Sequence, residues 1–215
     1  MNVSLDSLNA RKFRHLTRHG NLEQVIAGID AAIGAGFDRI KINAVILKGR
    51  NEDEVLDLVD FARDRAIDLA FIEEMPLGLI DEHDRALSFC SSDEIRDIIS
   101  QRYPLDSLGE PESTAGPARF FSMPDSPTQI GFISPHSNNF CHLCNRVRVT
   151  VEGRLLLCLG NEHSVDLRAV LRSPDYTMDG LKWAIVNAMA IKPERHYFAD
   201  DARPQIVRFM NMTGG

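Results

Sequence analysis

Cys141, Cys144 and Cys158 fall within eighteen positions of one another and make up three of the four cysteines in the chain. Thiolates are soft donors that suit zinc and iron-sulfur clusters. The spacing is Cys-x-x-Cys followed, after thirteen residues, by the third cysteine. One position of a four-ligand site is therefore unassigned, and its occupant decides the chemistry. His136, His142 or His163 could complete a structural zinc site. An open position would instead leave a metal atom able to bind a substrate. A Cys-x-x-Cys redox pair ranks lower, because no thioredoxin-like βαβ pattern surrounds it. A disulfide ranks lower still, given the low cysteine density and an N-terminus unlike a signal peptide. Cys90, in Ser88-Phe89-Cys90-Ser91, reads as an ordinary buried thiol.

The residues that must position these sulfurs lie between them. Asn145-Arg146-Val147-Arg148-Val149-Thr150-Val151 and Arg154-Leu155-Leu156-Leu157-Cys158-Leu159 are two β-rich runs about Glu152-Gly153, the pattern of a β-hairpin. Closing it returns Cys158 to the Cys-x-x-Cys pair. Arg146 and Arg148 share a face of the first strand by the period-two alternation of side chains. Two guanidiniums beside an incompletely ligated metal site point to an anionic ligand, because the guanidinium fork matches phosphate and carboxylate.

Upstream the pattern alternates. Strands are expected at 2–6, 38–47 and 67–75, with helices at 8–18, 21–35 and 52–66, which implies parallel pairing. Val25, Ile29, Ala32 and Ile33 form one helical stripe, capped by Asn21 and stopped at Gly36; Val55, Leu58, Val59 and Ala62 form another. Chemistry in such folds gathers at the C-terminal ends of the strands. Ser4, Lys41, Asn43 and Met75 lie on or near those ends and could share a cavity. Asp81-Glu82-His83-Asp84 reads as a solvated loop, and Ser91 with Glu94 as a capping box. Residues 104–117, rich in Pro and Gly, read as an irregular connection. Strands at 118–123 and 129–134 precede the hairpin, and short helices near 166–172 and 179–190 follow it.

Phe140-Cys141-His142-Leu143-Cys144-Asn145-Arg146-Val147-Arg148, the spacing to Cys158-Leu159 and the terminal Gly214-Gly215 closely resemble the C-terminal part of one family. It is the radical S-adenosylmethionine (SAM) GTP 3',8-cyclase family of molybdenum cofactor biosynthesis, MoaA. Asn2-Val3-Ser4-Leu5-Asp6-Ser7-Leu8, Lys41-Ile42-Asn43 and Phe71-Ile72-Glu73-Glu74-Met75-Pro76 extend the resemblance over essentially the whole chain. It implies an α/β fold: residues 1–78 as the last three βα units of an incomplete TIM-like radical SAM barrel, and 79–215 as an α+β extension bearing the cysteine hairpin. It implies that the family converts GTP to (8S)-3',8-cyclo-7,8-dihydroguanosine 5'-triphosphate.

By resemblance, Cys141, Cys144 and Cys158 match the ligands of an auxiliary 4Fe-4S cluster whose fourth iron is open to the guanine of GTP. Lys41, Arg146 and Arg148 match GTP contacts, Ser4 and Met75 match SAM contacts, and the Gly214-Gly215 tail matches one that enters the active site. The family's second 4Fe-4S cluster, which cleaves SAM, is held by a Cys-x3-Cys-x2-Cys motif followed by Gly-Gly-Glu-Pro. Neither occurs here. The chain is thus expected to be a C-terminal portion, inactive alone, with an exposed sheet edge where the earlier barrel strands would pair. Some relatives carry Arg where this chain has Ala70, so that ligand contact is not expected.

The formal charge of -7 argues against a general nucleic-acid binder but not against GTP, which needs only a few local cations. No apolar run approaches the length of a membrane span. A cytoplasmic protein is expected, with GTP as partner and a homodimer in the full-length family. A zinc module and an iron-sulfur electron carrier are the alternatives.

Overall fold

The structure is a computed structural model and describes residues 1–78, 82–109, 117–196 and 198. The chain divides into two compact units, Met1–Glu74 with His83–Asn139, and Met75–Glu82 with Phe140–Gly215.

The first unit runs β1 (Asn2–Ser4), α1 (Ala10–Thr17), α2 (Leu22–Gly34), β2 (Lys41–Val45), α3 (Val55–Asp64), β3 (Asp68–Ile72), α4 (Arg85–Ser88), α5 (Ser92–Ser100), β4 (Asp106–Ser107), β5 (Arg119–Met123) and β6 (Ser126–Ile133). Side chains that can satisfy the first amides fix where helices begin. Asn9 accepts from the Arg11 and Lys12 amides, Asn21 from that of Gln24, and Ser91 and Glu94 close a reciprocal capping box on α5. Gly36, at φ +75°, stops α2 in a conformation that glycine adopts without strain.

The sheet order is β1-β2-β3-β6-β5-β4. β1, β2, β3 and β6 are parallel, and β6, β5 and β4 return antiparallel. One face presents Ile42, Ala44, Leu69, Phe71, Ile130 and Phe132 to Phe13, Ile29, Val55, Leu58, Val59, Ile95 and Ile99 of the helices, and this is the core. The opposite face carries Ser4, Lys41, Asn43, Ala70 and Gly131 in register. Mixed α/β architecture with a parallel sheet is thus present.

Several boundaries differ from the sequence reading. β6 pairs with β3 although it lies beyond residue 79, because Ile130 and Phe132 complete the apolar surface begun by Leu69 and Phe71. The parallel set therefore has four strands, and the first compact unit includes His83–Asn139. Within the stretch read as irregular, Asp106–Ser107 pairs with β5; residues 110–116 lie outside those described. The helix expected from 52 begins as a 3-10 turn, Glu52–Glu54.

The second unit contains a 3-10 turn (Cys141–Leu143), β7 (Arg148–Val149), β8 (Arg154–Leu156), β9 (Ser164–Asp166), α6 (Leu167–Leu171), α7 (Met178–Ala188) and a 3-10 turn (Met189–Ile191). β7 pairs with β8 and β8 with β9, both antiparallel. The connection between β7 and β8 turns on Gly153, at φ +80°, whose amide donates to the Thr150 carbonyl at 2.9 Å. Leu155, Leu157, Leu167 and Ala188, with Val165 and Leu181, form the core under this small sheet. α7 also turns apolar side chains outward: Trp183, the single tryptophan, is 70% exposed and Val186 69%.

Candidate functional site

In the first unit, buried polar groups fasten the C-terminal ends of the parallel strands. Asn51, fully buried, donates to the Asp6 and Val45 carbonyls and accepts the Leu47 amide. Asp6 accepts the Val45 amide at 2.8 Å, and burial raises its pKa against that hydrogen bond. Glu54 accepts the Leu8 and Asn9 amides and the Ser7 hydroxyl, fixing the turn that leaves β1.

Glu73 follows β3 directly and is fully buried. Its carboxylate accepts the Ser92 amide at 2.9 Å, the His136 amide at 3.0 Å, the Ser137 amide at 3.1 Å and the Ser137 hydroxyl. Burial pushes its pKa up, but these four donors outweigh burial and hold it below the ordinary carboxylate value. One side chain thus joins the loop after β6 to the N-terminus of α5. Neighbouring Glu74 accepts from His83 at 2.9 Å and from Arg85, while its carbonyl accepts from His136. His83 is therefore a packed residue, with a side chain 11% exposed, and not part of a solvated loop; Asp84 caps α4 and Asp81 lies outside the described residues.

On the sheet face away from the helices, Ser4 is exposed beside Asn43, and Lys41 is half-buried one alternation earlier on β2. The Lys41 ammonium lies 5.7 Å from the centroid of the Phe120 ring, and the Arg39 guanidinium 5.4 Å from it. Phe120 covers Gly131 so closely that an added Cβ would stand 2.9 Å from the ring. Ala70, fully buried, sits between Asn43 and Gly131. Asn43 Oδ1 is buried with no hydrogen-bond partner among the described residues. Nearly all buried polar atoms in proteins are paired, so this face holds an acceptor suited to a ligand donor. Cys90 belongs to the core of this unit, where burial pushes its thiol up to about 11.

The other three cysteines belong to the second unit. Cys141 and Cys144 bracket a 3-10 turn in which the Cys144 amide donates to the Cys141 carbonyl at 3.0 Å. Cys158 lies two residues beyond β8. Burial raises the Cys158 pKa, and the neighbouring Cys141 and Cys144 raise it further, against the Gly160 amide and the Lys192 ammonium. The three sulfurs therefore share one electrostatic neighbourhood, and none is in a disulfide. Among the described residues, no three His, Cys, Asp or Glu side chains are grouped to hold a single metal ion. As a donor set, three half-buried thiols fit an iron-sulfur cluster. Of the histidines weighed as a fourth ligand, His136 bonds Glu74, His163 bonds Asn161 and His142 is exposed.

Arg146 and Arg148 flank the start of the small sheet. Burial lowers the Arg148 pKa, the Arg146 charge lowers it further, and Cys144 opposes both. Two guanidiniums that repel each other beside a thiol favour an anion. Met75 is half-buried at the start of the second unit. Gly214 and Gly215 lie outside the described residues. Ser4 and Lys41 thus share one sheet face, while the three cysteines, Arg146 and Arg148 belong to the second unit. Sequence reasoning missed Glu73, whose only signal is an acid directly after an apolar strand.

Residues 67–198 match the family described as Molybdenum Cofactor Synthesis C, and residues 1–62 the Radical SAM superfamily. The GTP 3',8-cyclase of Marinobacter nauticus (strain ATCC 700491 / DSM 11845 / VT8) is 61% identical over 215 residues. Those of Pseudomonas entomophila (strain L48) and Pseudomonas putida (strain W619) are 60% and 59% identical over 216 residues. In each case the whole of this chain matches 64% of the relative's length.

Proposed function

The chain belongs to the Molybdenum Cofactor Synthesis C family, and from that premise we propose that it is the substrate-binding C-terminal portion of a cytoplasmic GTP 3',8-cyclase, converting GTP to (8S)-3',8-cyclo-7,8-dihydroguanosine 5'-triphosphate in molybdopterin biosynthesis. The observation that carries this reading is the match of residues 67–198 to that family, with three half-buried, unbridged cysteines in the unit that holds Arg146 and Arg148.

Cys141, Cys144 and Cys158 would hold a 4Fe-4S cluster, leaving one iron without a protein ligand. When bound, that group supplies a Lewis-acid position for the guanine. The chain's own residues do the rest. Arg146 and Arg148 bind the nucleotide by charge-assisted hydrogen bonds, and Lys41 is a GTP contact of the first unit. Ser4 and Met75 contact SAM. Asn43 offers its unpaired oxygen to a donor of either ligand. Residues 1–78 serve as the last part of a radical SAM barrel and 79–215 as the substrate-binding extension, with Gly214-Gly215 approaching the ligand closely as glycine permits.

Anaerobic reconstitution with iron and sulfide, followed by GTP titration, tests the reading. Iron and sulfide in cluster ratio, with GTP binding that depends on the cluster, are expected. Stoichiometric zinc with a histidine ligand, or a cluster indifferent to GTP, would sink it in favour of a zinc module or an electron carrier.

A further inference from the structure

We propose that Lys192 is a positioning residue for the cysteine site, and that the segment it begins braces the loop carrying Cys158. The inference rests on the iron-sulfur reading above. Lys192 Nζ donates to the Arg146 carbonyl at 3.0 Å and to the Leu157 carbonyl at 2.5 Å. Arg146 stands two residues after Cys144, and Leu157 immediately precedes Cys158. One ammonium thus joins the two chain limbs that deliver the sulfurs.

The tie matters because little else sets that spacing. The ladder between β7 and β8 consists of Arg148↔Leu156 and Val149↔Leu155, and it ends where the limbs approach the cysteines. A compact ammonium with three donors can bridge two carbonyls at that mouth. α7 brings it there: Ala188 packs against the β8 core, and the 3-10 turn Met189–Ile191 advances the chain to Lys192. A second contact lies farther along the same segment. A Cβ on Gly160 would stand 2.6 Å from Phe198 Cζ and 2.7 Å from His196 Cβ. Lys192 therefore holds the start of this loop while His196 and Phe198 press on its end.

The full chain is tested as wild type, Lys192→Met, which keeps the apolar stem and removes the donors, and Lys192→Arg, which restores charge and donors. Each is reconstituted anaerobically. Iron and sulfide content, the electron paramagnetic resonance spectrum of the reduced cluster and the rate of iron loss to a chelator are measured, with circular dichroism of the metal-free chain as the folding control. Lys192→Met should lose iron about tenfold faster or more, with an altered spectrum, as when groups that orient metal ligands are removed. Lys192→Arg should recover both. Wild-type spectrum and retention in Lys192→Met would overturn the proposal. If Lys192→Met fails the folding control, Gly160→Ala decides: accelerated iron loss supports the brace, and wild-type retention overturns it. A wild-type chain that takes up no iron and sulfide fails the iron-sulfur reading itself, a result distinct from either.

Discussion

Arg148 is half-buried, and burial together with the Arg146 charge lowers its pKa. Replacing either by alanine in a full-length context should weaken GTP binding about tenfold or more, as charge-assisted contacts are worth roughly 1.5–3 kcal/mol each. Isothermal titration would show it, with iron content unchanged. Unaltered GTP affinity in the double variant would remove the arginines from the site. Glu73 leads to a different expectation. Its carboxyl is held below the ordinary value of 4.5, so its contribution is complete above that pH and is lost as the pH falls through the lower folded value. Glu73→Gln should cost about 2 kcal/mol at neutral pH and flatten the acid limb of stability, read by urea denaturation across pH 3–6 on the scale of ordinary carboxylates, roughly. The cysteines and arginines were proposed from the sequence because residue type and close spacing announce their chemistry. Glu73 and Asn51 were not, because their partners come from distant chain segments, Ser92 and His136 for one and Asp6 for the other.

Elements with strong local signals were read where they stand. The α5 capping box needs only residues three apart, and the caps of α2 and the stripe through Ile29 and Ala32 are equally local. Ile33, the last of that stripe, is 37% exposed because it lies at the edge of the buried face. β4 and β9 were missed, being two and three residues long with no alternation to detect. The place of β6 beside β3 was missed because pairing partner is a tertiary property. The turn at Gly153 gives a prediction of its own. A side chain there meets both the left-handed conformation and the Arg168 Cβ, 2.8 Å from an added Cβ. Gly153→Ala should destabilise the second unit by about 1–2 kcal/mol, from the φ penalty with displacement of α6. A thermal melt should show the loss, and an unchanged melting temperature would mean that the turn relaxes without cost.

For the whole molecule, the absence of Cys-x3-Cys-x2-Cys from the 215 residues leads to a firm expectation. After anaerobic reconstitution and with strong reductant, this chain should produce no 5'-deoxyadenosine from SAM above a no-protein control; product above that control would overturn the assignment of its cluster to substrate. β1 stands at one edge of the six-stranded sheet, and unpaired edge groups invite pairing with another chain. Sedimentation velocity should therefore show association that grows with concentration. Among the described residues, no helix is long and apolar enough to cross a membrane.

The outward-facing Trp183 on α7 makes the second unit optically self-reporting. The indole emits in the near-ultraviolet, where iron-sulfur clusters absorb, so a cluster held by this unit would draw energy from it without added dye. Emission should fall in proportion to the fraction of chains that carry a cluster and return on chelation, giving a continuous readout of assembly from the native chain.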